Sequence, residues 1–233
     1  IGSIVMMILA TYSFQIKTFI WVAFAILLIA LCLSLMNLGF FVSIMPFTSI
    51  FNDLLIYDTY SNTFSFILLL GSILYLGAGE NFARAQTYMK GEFFALILFA
   101  VFGVLVLSHS NELITALIAL EIASYSVYIL VGFNSSNAKS FEAMFKYLTL
   151  GSFVVGFYVL GVALVYLVVN SINLSDIATF VTTANYDELA LIYIGFSLML
   201  FVFLFKIAIF PFGLWSLDIY RGAPLYVTSF MAS

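Results

Sequence analysis

The chain has 233 residues, of which 65% are hydrophobic and 8% charged, against about 45 to 50% and about 25% in an ordinary soluble domain. So little polarity cannot cover a globule in water, and the solvent is therefore lipid. Seven Lys plus Arg against eleven Asp plus Glu form no basic patch able to neutralise a phosphate backbone, which excludes nucleic-acid binding, while a single cysteine (Cys32) and a single histidine (His109) exclude intrachain disulfides, iron–sulfur ligation and a histidine-rich metal site.

A membrane span needs about 20 apolar residues, because about 30 Å of hydrocarbon is crossed at about 1.5 Å per residue. That length predicts a truncated span at 1–12, then spans near 19–41, 59–78, 91–108, 112–133, 143–169 and 189–211, with an eighth beginning around 223. Lipid offers no water to unpaired backbone groups, so continuous helices are expected and the fold class is an all-α polytopic bundle. The connections 42–58 and 170–188 are too short to hold a soluble domain. Ile1 already lies in an apolar run with no initiator Met or signal n-region, and a new apolar segment opens after Pro224. A longer parent chain is expected on both counts.

This span count places Lys17, Arg84, Lys90, Lys139 and Arg221 on one side of the membrane, and Asp53, Asp58, Asp176, Asp187 and Glu188 on the other. The positive-inside rule makes the basic side cytoplasmic, with Ile1 at the external face. Five of the seven basic residues are then topology signals, which leaves Lys146 and Lys206.

The sequence holds no G-x-G-x-x-G, Walker, C-x-x-C or H-E-x-x-H pattern, so no nucleotide, haem or zinc site is expected. Aromatic residues make up 18%, 27 of them Phe, and packing against lipid and between helices accounts for them. Gly151, Ser152, Gly156 and Gly161 are expected to let another helix approach the sixth span closely.

Glu121 sits near the middle of the fifth span, in LIALEIASYSVYILVGF, too deep to reach either interface. Left in lipid it would cost several kcal/mol, so it faces protein, water or an opposite charge. A static ion pair would satisfy it, as would a titrating role in an ion path. Lys206 lies about two thirds along the seventh span, in LFVFLFKIAIFPFGLW. Its stem is long enough to snorkel, but Pro211 cannot donate to the carbonyl of Ile207 and crowds that turn, which predicts an interrupted helix just beyond the lysine. Interrupted membrane helices expose backbone groups that need water or polar partners, and so suit ion passage. Lys146 is near the cytoplasmic end of the sixth span, where snorkelling is easy, with Glu142 one turn earlier for an i,i+4 pair. One glutamate and two lysines on three successive spans suggest a proton relay that requires no cofactor, with apparent pKa values belonging to the cluster.

The stretch FKIAIFPFGLWSLDIYRGAPLYVTSFMAS, together with the glutamate in ALEIASY and the lysine in EAMFKY, resembles the antiporter-like membrane subunits of respiratory complex I. Asp218, Tyr220, Gly222, Ala223, Pro224 and Thr228 favour the subunit N type, the counterpart of mitochondrial subunit 2, over the related L and M types. The likeness is good over 91–233 and rests on span layout over 1–90. It implies two inverted repeats of five helices, of which 91–233 would hold the first as far as the start of helix 8, with three further helices before it in 1–90.

The resemblance carries the relay roles onto Glu121, Lys146 and Lys206. It implies a translocase subunit of a proton-pumping NADH-quinone oxidoreductase, with other membrane-arm subunits and lipid as partners. NADH, quinone and all redox centres would belong to other subunits, leaving no cofactor, metal or quinone headgroup site here. Two positions depart from the family pattern: Gly213 stands where a histidine is usual, and Leu217 where a proline is usual. The competing readings are a multi-subunit cation/proton antiporter subunit without electron transfer, and a membrane-arm spacer that conducts nothing.

Overall fold

The computed structural model describes residues 1–12, 15–37, 48–86, 88–134 and 136–232. Six helices are long and apolar enough to cross a membrane: α2 (Ile16–Asn37), α3 (Thr59–Ala78), α5 (Gly91–His109), α6 (Leu113–Val131), α7 (Ala138–Val169) and α9 (Tyr186–Lys206). Between and around them lie shorter helices, α1 (Gly2–Ala10), α4 (Glu80–Ala85), α8 (Leu174–Val181), α10 (Leu214–Gly222) and α11 (Leu225–Ala232), and a two-stranded antiparallel hairpin, β1 (Thr48–Ile50) with β2 (Leu55–Tyr57).

Most spans fall where the apolar runs place them, with three differences. The first apolar run forms only the nine-residue α1. The seventh span stops at Lys206, five residues short of its expected end, because the segment around Pro211 leaves the helix. The two long connections carry secondary structure of their own, α8 and the hairpin. The expected end of the second span, 38–41, lies outside the described residues.

Local chemistry sets the helix ends. Asp58 opens α3 with a capping box: its carboxylate accepts from the Ser61 N–H at 2.7 Å, and the Ser61 hydroxyl accepts from the Asp58 N–H. These bonds, the Ser61 N–H foremost, hold the Asp58 carboxyl below its ordinary value, and His109 adds to the effect. Asn185 and Glu188 form the same device at α9. Asn170 closes α7 in the left-handed conformation, φ 54°, which asparagine tolerates. At about 1.5 Å per residue, the 32 residues of α7 reach about 48 Å, beyond the hydrocarbon layer, so its first turns stand in the interfacial zone.

The spans pack in sequence order: α2 against α3, α3 against α5, α5 against α6, α6 against α7 and α7 against α9. Two crossings bring backbones together. A Cβ on Gly103 would lie 2.6 Å from the Ala123 nitrogen, and one on Gly161 of α7 would lie 2.5 Å from the Gly195 carbonyl oxygen of α9. Of the small residues expected to admit a neighbour on the sixth span, Gly161 meets α9 and Gly151 receives a side chain of α6, whereas Ser152 and Gly156 are exposed. The exterior is apolar, as at Phe64, Ile67, Leu74, Phe153 and Leu167. Inside α3 the pattern inverts: Ser61, Asn62, Ser65 and Ser72 are buried, and Asn62 bonds to Ser34 of α2 and to the Tyr57 hydroxyl.

Three connections meet at one end of the bundle around Asn111, which is 6% exposed. Its N–H donates to Leu54 O and its side-chain amide to Asp53 O and Asn173 Oδ1, while its carbonyl accepts from Leu174 N. This end collects the acidic residues Asp53, Asp58, Glu112 and Asp176. Residues 79–86, 88–90, 132–134, 136–137 and 207–224 belong to the opposite end, together with Lys139 in the first turn of α7, and this end holds Lys90 and Arg221.

Candidate functional site

Glu121, Ser124 and Tyr128 are spaced i, i+3, i+7 and so line one face of α6. Lys206 is the last residue of α9, where unpaired helix carbonyls favour a cation. Reaching from the end of α9 to α6, the Lys206 side chain brings the four groups together. Lys206 Nζ donates to Ser124 Oγ at 2.7 Å and to Tyr128 Oη at 2.8 Å, and lies 3.8 Å from Glu121 Oε1. It is also 5.2 Å from the centroid of the Tyr128 ring. Both charged side chains are largely buried, with 12% of Lys206 and 18% of Glu121 exposed.

Two opposing effects act on this pair. Opposite unit charges about 4 Å apart attract by about 4 kcal/mol at an effective dielectric of about 20, and lost hydration offsets much of that gain. Glu121 Oε1 is buried and accepts no hydrogen bond among the described residues; the nearby ammonium is its compensation. A pair so poised changes state when either partner gains or loses a proton.

Tyr128 is held from two sides. A Cβ on Gly151 of α7 would fall 1.9 Å from the Tyr128 hydroxyl oxygen, so the hydroxyl occupies space that only glycine leaves. Tyr147 packs edge-on against the Tyr128 ring, with centroids 4.5 Å apart at 77°. Tyr147 then stacks on Trp215 of α10 at 4.7 Å, and Trp215 on Phe205 at 5.2 Å. The Trp215 indole N–H donates to the Phe205 carbonyl at 3.0 Å, which joins α10 to the last turn of α9.

Beyond Lys206 the helix is broken. Ala208 has φ 54°, a conformation side chains rarely adopt, and the chain returns so that a Cβ on Gly213 would lie 2.1 Å from the Ala208 carbonyl oxygen. Glycine at 213, where the resembling family usually has histidine, therefore matches the close backbone approach at this break.

Lys146 is placed apart from this pair. Its Nζ is 2.7 Å from Glu142 Oε1 and 4.0 Å from Asp218 Oδ2 of α10, with its side chain about half exposed. The Glu142 pair is the i,i+4 contact expected on one helix face; Asp218 as a second partner was not anticipated from its spacing. Nor were Ser124 and Tyr128 singled out, although their spacing from Glu121 was a usable signal. Among the described residues, no group of His, Cys, Asp and Glu side chains is arranged to hold a metal ion.

The chain is similar to known proteins along most of its length. NADH-quinone oxidoreductase subunit N of Trichlorobacter lovleyi is 37% identical over 185 residues, covering 79% of this chain and 38% of the relative. Subunit N 1 of Herpetosiphon aurantiacus is 39% identical over 188 residues, covering 78% and 38%. The chain thus spans well under half the length of these curated relatives. Among solved structures, a chain of respiratory complex I from Thermus thermophilus with bound aureothin superposes with a TM-score of 0.79 at 26% identity, over all of this chain and 48% of that one. Residues 110–233, just over half of the sequence and including α6, α7, α9 and the break, match the family described as NADH:quinone oxidoreductase/Mrp antiporter, TM, and the chain belongs to that family of multi-spanning membrane proteins.

Proposed function

We propose that this chain is part of a membrane-arm subunit of the subunit N type, in a proton-pumping NADH-quinone oxidoreductase of a bacterial inner membrane. The observation that carries the reading is the buried Glu121–Lys206 pair at the break in α9. The names of the curated relatives support it. Residues 91–233 form the first of two inverted five-helix repeats up to its eighth helix, preceded by three helices in 1–90. The basic end faces the cytoplasm and the acidic end, toward which the Ile1 end of α1 points, the periplasm.

The pair works as a relay. With Glu121 ionised, the ammonium of Lys206 keeps its proton because the carboxylate offsets the cost of burial. Neutralising or displacing that carboxylate removes the offset, and the lysine releases its proton to confined water. Lys146, held between Glu142 and Asp218, is the next ionisable group toward the basic end. NADH and quinone are handled by other subunits, whose redox chemistry supplies the drive.

The test is Lys206→Ala in the full-length parent, assembled in its complex in sealed vesicles. Proton uptake is expected to fall by about tenfold or more with the complex intact. Unchanged NADH oxidation and uptake would favour a purely structural pair. A parent that exchanges a cation for protons with no NADH-oxidising partner would instead identify a cation/proton antiporter.

A further inference from the structure

Lys206 does not rest on its carboxylate. Its hydrogen bonds go to two hydroxyls, at 2.7 and 2.8 Å, and the ion pair is held open at 3.8 Å. We infer that Ser124 and Tyr128 form a second seat for the lysine amine, distinct from the Glu121 seat, and that Tyr128 is the group on which the amine rests while it is without its proton. This inference rests on the relay reading above.

The argument is one of donors and acceptors. A carboxylate only accepts, so it can hold an ammonium but offers nothing to the lone pair of a neutral amine. A hydroxyl accepts and donates, so it can hold both. The Ser124 hydrogen is already given to Leu120 O at 2.7 Å, which leaves Ser124 an acceptor. Among the described residues no carbonyl takes the Tyr128 hydrogen. When Lys206 releases its proton, the Tyr128 O–H can turn to donate to Nζ, while Nζ still donates to Ser124. No covalent bond is made or broken in Tyr128; the proton leaves from the lysine to water. Gly151 and Tyr147 are positioning residues, since they fix where the Tyr128 hydroxyl stands.

Tyr128→Phe keeps the ring and deletes the seat. The ammonium then closes onto Glu121 and the neutral amine loses its donor, and both effects favour the charged form. In the full-length parent within its complex, in sealed vesicles, the alkaline limb of the pH profile for proton uptake is expected to move up by about one pH unit. Gly151→Ala, which pushes the hydroxyl aside, is expected to move it in the same direction, whereas Ser124→Ala, which removes an acceptor that serves the ammonium more than the amine, is expected to move it down. An assembled Tyr128→Phe complex with the wild-type profile would overturn the inference. If Tyr128→Phe does not assemble, Ser124→Ala decides the matter, because it removes a single oxygen: a downward shift supports the seat, and an unmoved profile sinks it. Lys206→Ala in the same vesicles separates the two levels. If that variant loses uptake while the hydroxyl variants keep the normal profile, the relay stands and the second seat falls; if it keeps uptake, the relay itself falls.

Discussion

At the residue scale, the difference between a relay and a static pair can be measured. Glu121→Gln leaves Lys206 buried without its opposite charge, a change that costs about 3 to 5 kcal/mol and is expected to lower the thermal midpoint of the purified protein as well as proton uptake. Combining Glu121→Gln with Lys206→Met removes both charges. The double variant is expected to regain stability without regaining uptake, whereas a pair kept only for packing would lose neither function alone nor function combined. Asp58 offers a second test, at the edge of the membrane. Its carboxyl titrates below the ordinary value in the folded chain, so its contribution is full above the unfolded pKa and is lost as pH falls through the lowered one. Asp58→Ala is expected to cost about 1 kcal/mol at neutral pH and to narrow toward nothing in acid, read from thermal midpoints. Glu121 and Lys206 were legible in the sequence because a charge in a long apolar run is conspicuous. Ser124, Tyr128 and Gly151 were not, because a serine, a tyrosine and a glycine in a membrane helix serve packing equally well until the facing helix is known.

Among the elements, the helix crossings and the break make separate predictions. Gly161 and Gly195 meet backbone to backbone, so Gly161→Val forces α7 and α9 apart. It is expected to cost about 1 to 3 kcal/mol or more, while Gly156→Val, which meets nothing within 4 Å, leaves the thermal midpoint within about 1 °C of the wild type. Restoring histidine at Gly213 is expected to destabilise rather than improve the site, because its Cβ would press on the Ala208 carbonyl. The long helices could be read from apolar length alone, and the break from Pro211. The short ones, α8 and α10, escaped that reading: eight or nine residues are too few for a span, and their signals are single caps such as Asn173, whose side chain accepts from Ser175 N. The hairpin was equally hidden, since it depends on Phe51, Asn52 and Asp53 all adopting positive φ.

Across the whole molecule, the separation of acidic and basic connections is testable without activity. In a Cys32→Ser background, a cysteine at Asp176 is expected to react with an impermeant maleimide from the periplasmic side, and one at Ser136 only from the cytoplasmic side. Labelling of both from one side would undo the proposed orientation. The charge partition was readable in the sequence because it depends only on span count. What joins the connections was not, since it depends on the side chain and backbone of Asn111 bonding to partners 57 to 63 positions away, whose proximity only folding creates. That knot has a mechanical consequence. With three connections pinned to one residue at the acidic end, the start of α6 is tied close to the end of α7, so a tilt between these two helices pivots there and its displacement grows with distance from that end. Tyr128, far along α6 from Asn111 and seated against Gly151 of α7, lies where that lever arm is long, so a slight tilt at the acidic end moves the hydroxyl that Lys206 holds by a larger amount.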